Sequence, residues 1–185
     1  DDNLILSKKI NLGLDLQGGS YLLLEIDNQP IISQVLQTKV LSFKNFFKDK
    51  SLKVKNFSIE DNKIYFESDI DSVEEINNLL LDEKSEINPY FPKFKTHEFD
   101  VKNKETFFSV NLSDYGVILL NNSSLDQAVE IVRRRVDETG TNEPNILKRG
   151  NNRILVELPG LDDPSRIKSL LGKTANLTFQ LVSNN

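Results

Sequence analysis

Leu12-Gly13-Leu14-Asp15-Leu16-Gln17-Gly18-Gly19, followed by Ser20-Tyr21-Leu22-Leu23-Leu24-Glu25-Ile26, reads as one bent ribbon. Leu12, Leu14 and Leu16 alternate with Gly13, Asp15 and Gln17, which is the period of a strand. Gly18-Gly19 then breaks or bulges the strand, because glycine reaches backbone angles that other residues avoid. A second strand follows from Tyr21 to Ile26. Alone, the double glycine is no more than a bulge in a sheet.

Two further stretches stand in a fixed order behind it. One is Leu125-Asp126-Gln127-Ala128-Val129-Glu130-Ile131-Val132-Arg133-Arg134-Arg135-Val136-Asp137-Glu138-Thr139-Gly140, running on through Thr141-Asn142-Glu143-Pro144. The other is Arg153-Ile154-Leu155-Val156-Glu157-Leu158-Pro159-Gly160-Leu161. Leu125, Ala128, Val129, Val132 and Val136 form one apolar helical stripe. Ser124 with Gln127 reads as a capping box at its start. Gly140 sits where a left-handed C-cap belongs. Asn145–Lys148 and Arg153–Leu158 read as a hairpin turning at Arg149-Gly150-Asn151-Asn152. Asp163 and Pro164 open a second helix carrying Ile167, Leu170 and Leu171 and stopping at Gly172. Leu177, Phe179 and Leu181 then alternate in a last strand.

With the ribbon placed first, this order is βαββαβ, the ferredoxin-like plan. The residues between ribbon and helix repeat a similar order. Ile32, Val35, Leu36, Lys39, Val40, Phe43 and Phe47 line a long helix with Lys39 as its polar exception. Leu52–Ile59 and Lys63–Glu67 form a hairpin turning at Glu60-Asp61-Asn62, with a bulge between Val54 and Phe57. Asp71 with Glu74 caps a helix of Val73, Ile76, Leu79 and Leu80. Pro89 and Pro92, beside Tyr90 and Phe91, mark a loop. Phe94–Val101 and Thr106–Leu112 are strands joined across Asn103. The expected fold is therefore α+β. A discontinuous ferredoxin-like base of 1–28 plus 114–185 carries an inserted αββαβ-type subdomain at 29–113. Residues 115–120 read either as a helical turn capped by Asp114 or as an extension of the next helix.

Composition narrows the chemistry. The chain has 185 residues, 38% hydrophobic and 28% charged, ordinary for a globular protein. Its net charge of −5 argues against a nucleic-acid partner. It has no Cys and one His, so disulfides are excluded and a transition-metal site is not expected. His97 reads as an exposed structural residue. No nucleotide loop, metalloprotease or hydrolase signature is present, and Gly18-Gly19 lacks the Lys and helix of a phosphate loop. No catalytic residue, cofactor or small-molecule substrate is therefore assigned. Arg133 and Arg134 have acidic neighbours four positions away, Asp137 and Glu130, and read as a solvated helix face. Arg135 lies outside those two pairs. No run approaches a membrane span, and no Met is present.

The three ordered stretches resemble the SecD family, the large membrane subunit of a bacterial accessory export complex in the resistance–nodulation–division superfamily. SecD proteins carry a similar double-glycine ribbon, a helix ending like RRRVDxxGxxEP, and a strand ending like RIxVELPG. The resemblance implies that Asp15, Gly18, Gly19, Arg135, Gly140, Pro144, Pro159 and Gly160 are signature positions. It further implies an excised periplasmic region whose membrane helices lie elsewhere, working in proton-driven protein export. The implied partners are a SecF-like membrane subunit, a SecYEG-type channel and the translocating unfolded polypeptide. The alternative is a periplasmic pore or binding domain of another transporter in the same superfamily. A soluble hydrolase is disfavoured by the missing catalytic constellation.

Overall fold

A computed structural model of the chain describes residues 19–138 and 144–160. The fold is α+β. The chain forms two compact units, Ile26–Ser124 and Asp1–Glu25 with Leu125–Asn185. The described residues of the second are 19–25, 125–138 and 144–160.

The first unit opens with α1 (Gln29–Asp49), which starts on Pro30 near its N-terminus, where a missing N–H costs nothing. The hairpin β2 (Val54–Glu60) and β3 (Lys63–Ser68) follows. The register shifts between Lys55 and Ser58, and Asn56 takes φ 57°, so the expected bulge is present. A short 3₁₀ turn, Ile70–Ser72, precedes α2 (Val73–Leu81). Asp71 therefore lies in that turn and does not cap α2, whose N-cap Ser72 makes no side-chain cap bond. The Pro89–Pro92 region is also more ordered than a plain loop. β4 (Tyr90–Phe91) pairs with β5 (Thr96–His97).

The last hairpin of this unit is β6 (Phe99–Lys104) and β7 (Phe107–Leu112). Its turn lies at Glu105, with φ 55°, and not at Asn103, which pairs with Phe108 in the ladder. The four-stranded sheet runs β2-β3-β7-β6. Phe43, Phe47, Phe66, Phe99 and Phe108 are fully buried with Leu36, Ile64, Ile76, Leu80 and Val110 in one core. Phe66 and Phe108 stack with centroids 4.9 Å apart. Aromatic side chains bury more area each than aliphatic ones, and the helical stripe of α1 supplies two of them.

α3 (Asp114–Asp137) is one continuous helix. Its start is held by Ser113, whose Oγ accepts from Gly116 N at 3.0 Å and donates to His97 O at 2.6 Å. The extension reading of 115–120 is therefore the correct one. Ser124 lies mid-helix and donates to Leu120 O at 2.8 Å, so Ser124 and Gln127 form no capping box. Asn121 accepts from Asn28 at 2.8 Å, giving a polar helix residue a tertiary partner.

The second unit holds β1 (Gly19–Glu25), the C-terminal part of α3, β8 (Asn145–Arg149) and β9 (Arg153–Pro159). The sheet order is β1-β9-β8, all antiparallel. β9, the last of the three in sequence, lies between β1 and β8. Ile154, Val156 and Leu158 are buried on one face, as are Leu125, Val129, Val132 and Val136 on α3. Lys148 Nζ pairs with Asp126 and ties β8 to the helix. The ribbon half Leu12–Leu16, the 164–172 helix and the 177–181 strand lie outside the described residues.

Candidate functional site

The register of β1 on β9 is the central geometric fact. Gly19 stands opposite Pro159, Leu22 opposite Val156 and Glu25 opposite Arg153. The double-glycine stretch and the strand ending Glu157-Leu158-Pro159-Gly160 thus lie side by side. Gly160 follows with φ +72°, the left-handed region in which a Cβ is strained. Pro159 is the last residue of β9.

Alternation gives this sheet two faces. Ser20, Ile154, Val156 and Leu158 point inward and are buried. The outer face carries three rows read straight across the ladder. Tyr21 faces Glu157, which faces Asn145. Leu23 faces Leu155, which faces Leu147. Glu25 faces Arg153, which faces Arg149. The middle row is wholly apolar, and Tyr21, Leu23 and Leu147 are 58%, 59% and 40% exposed. The flanking rows are polar and braced. Asn145 Nδ2 donates to Glu157 at 2.8 Å. Glu25 accepts from Asn152 at 3.1 Å and pairs with Arg153 at 3.4 Å. An apolar strip framed by fixed polar side chains is the anatomy of a contact surface.

Of the sequence-derived signature positions, Gly19, Pro159 and Gly160 come together. Arg135 is half-buried on α3, and Pro144 is half-buried immediately before β8; neither belongs to the Gly19–Pro159 pair. Asp15, Gly18 and Gly140 lie outside the described residues. The basic run is arranged differently from expectation, since Glu130 pairs with Arg133 at 2.8 Å rather than with Arg134. His97 is half-buried rather than exposed, with Nε2 3.2 Å from Asp82 O and its ring 4.8 Å from Tyr90. Among the described residues no group of His, Cys, Asp and Glu is placed to hold a metal ion.

The outward-facing row Leu23, Leu155 and Leu147, with Tyr21 beside it, was not singled out from the sequence. Its signal was present in the run Tyr21-Leu22-Leu23-Leu24. A strand with one solvated face alternates apolar and polar residues, whereas a run apolar on both faces has something to cover each.

A family model described as the P1 domain, N-terminal, of protein translocase subunit SecDF matches residues 125–184. A second, the SecD/SecF GG motif, matches residues 4–30. Protein translocase subunit SecD of Rickettsia felis is 38% identical over 176 residues, 95% of this chain and 32% of that protein. The SecD of Acetobacter pasteurianus is 35% identical over 181 residues, 96% of this chain and 33% of its own length. The chain belongs to the SecD family. It spans about a third of the length of these relatives. No solved structure matches it significantly. The two family models thus fall on the stretches that β1 and β9 bring into register, the GG motif on one strand and the P1 match on its neighbour. Among the described residues of this SecD chain, no helix is long and apolar enough to cross a membrane.

Proposed function

We propose that this chain is the periplasmic part of a SecD-type translocase subunit. It assists proton-motive-force-driven export across the inner membrane by contacting emerging polypeptide and changing orientation as the membrane part cycles. Its partners are a SecF-like subunit and a SecYEG-type channel, and it performs no catalysis itself. The domain division proposed with it is a discontinuous ferredoxin-like base of 1–28 plus 114–185 carrying 29–113 as an inserted subdomain.

The observation that carries the reading is the apolar row Leu23, Leu155 and Leu147 with Tyr21 on the outer face of the signature sheet. Fully burying a Leu contributes about 1.5–3 kcal/mol. Side chains already half-buried therefore contribute about 1 kcal/mol apiece, or about 4 kcal/mol for the row before ordering costs. Association and ordering costs reduce that gross figure further, so the row alone gives only weak holding, suited to a chain that must be held briefly and released.

The test is Leu23→Asp with Leu155→Asp in the full-length protein. Both side chains point outward, so abundance stays normal. Precursors of secreted proteins accumulate if the row contacts them. Normal precursor processing at normal abundance overturns the reading.

A further inference from the structure

A separate feature of the first unit has a chemistry of its own. From Lys44 to Lys55 the chain holds five Lys and one acid, Asp49, whereas from Glu60 to Glu86 it holds ten acids and two Lys. In a chain of net charge −5, this short segment is thus locally basic. Lys44 and Lys48 are one helical turn apart on α1, and Lys53 and Lys55 are two residues apart beside and on β2. All four line one open groove of about 570 Å³, with Leu52, Val54 and Phe57 among its apolar parts and no acidic lining residue.

These cations are poorly compensated. Lys55 approaches Glu67 at 3.8 Å, and Lys44 lies 5.3 Å from the Phe57 ring centroid. Among the described residues, Lys48 and Lys53 have no ion-pair partner. Like charges one turn apart on a helix repel, so the arrangement favours an anion between them.

The groove borders the open edge of the sheet, because β2 is the outermost strand of β2-β3-β7-β6. Lysines on an edge strand discourage pairing with a strand of like charge. A second copy of β2 would bring the same lysines and be repelled. An acidic chain meets the opposite sign, and the free backbone of β2 with Leu52, Val54 and Phe57 suits a peptide better than a lone phosphate. The geometry points to an acidic, extended polypeptide segment as the occupant of the groove between α1 and β2. Lys48 and Lys53 are its principal charge contacts. The inference rests on the proposed polypeptide contact only for the source of that segment.

The experiment is fluorescence polarisation of a labelled extended peptide alternating Glu and Val, titrated with this chain, beside its Gln–Val counterpart. The acidic peptide binds, the neutral one does not, and binding weakens as salt rises. Lys48→Gln with Lys53→Gln weakens binding about tenfold with an unchanged thermal midpoint, while Lys48→Arg with Lys53→Arg retains it. Equal binding of both peptides, or no effect of the Gln pair, overturns the site. So does tighter binding to anionic phospholipid vesicles, displacement by inorganic phosphate, or salt-sensitive self-association. Loss of peptide binding alongside a persistent export defect in Leu23→Asp/Leu155→Asp protein overturns this site alone. Intact peptide binding with normal export in that variant overturns the outer-face reading alone.

Discussion

Gly116→Ala tests how the first unit joins its last hairpin to α3. A Cβ at Gly116 would lie 2.2 Å from the Glu98 carbonyl oxygen and 3.2 Å from a Leu112 methyl. Approaches under 3.0 Å are essentially never made, so helix and strand junction must separate by most of an ångström. That movement stretches Ser113 N→Glu98 O, now 2.9 Å, and the Ser113 Oγ bond to His97 O, now 2.6 Å. Overpacking costs about 1–3 kcal/mol, and weakening one such hydrogen bond adds about 1 kcal/mol. Alanine returns up to about 1 kcal/mol in helix propensity. The net expectation is a loss of about 2 kcal/mol. Urea unfolding followed by circular dichroism reads it directly, and with m of about 1–3 kcal/mol/M the midpoint falls by about 1 M. A midpoint equal to or above that of the parent would mean that propensity decides and that Glu98 does not press on the helix.

Three further expectations follow from particular side chains. Val132 is 7% exposed at the centre of the α3 stripe, so Val132→Asp costs several kcal/mol through an unpaired buried carboxylate; an unchanged thermal midpoint would place the stripe in solvent. Asn88 is fully buried, donating to Leu80 O at 2.9 Å and Phe99 O at 3.0 Å and accepting from Phe99 N at 2.9 Å. Asn88→Ala leaves those groups unpaired and lowers stability by about 2–4 kcal/mol in the same urea assay, and a loss under about 0.5 kcal/mol would refute a stabilising role for these three bonds. Lys39 has a side chain 14% exposed and lies 3.9 Å from Glu98; burial lowers its pKa below 10.5, while Glu98 partly opposes this. Between the lowered value and 10.5 the unfolded chain holds more protons on Lys39, so its contribution to stability rises with pH across that window. Lys39→Met removes that slope, and parallel stability–pH curves for the two proteins would show that Lys39 is not desolvated.

Periodic features were legible in the sequence and singular ones were not. The stripe of α1, the hairpin across Arg149–Asn152 and the bulge near Asn56 were visible because spacing alone encodes them. Ser124 misled because a serine reads as a cap in isolation, whereas in the helix its hydroxyl bonds back to Leu120. Asn121 sits in a helix despite its low propensity because Asn28 supplies a partner 93 residues away. Asn88 and Gly116 act through groups distant in sequence, Phe99 and Glu98, and no local pattern marks them. The candidate contact face was half legible. Ile154, Val156 and Leu158 announced the buried side, but Leu23, Leu155 and Leu147 form a row only once the register is known.

The proposed function stands on the outer face of β1, β9 and β8 touching polypeptide in transit. Site-specific photo-crosslinking in the full-length protein, with an exported precursor stalled in the channel, tests it directly. A photoreactive residue at Leu23, Leu155 or Leu147 should capture the precursor, and one at Val156 or Leu158 on the buried face should not. Capture from the buried positions alone, or from none of the five with the precursor stalled in the channel, would contradict it.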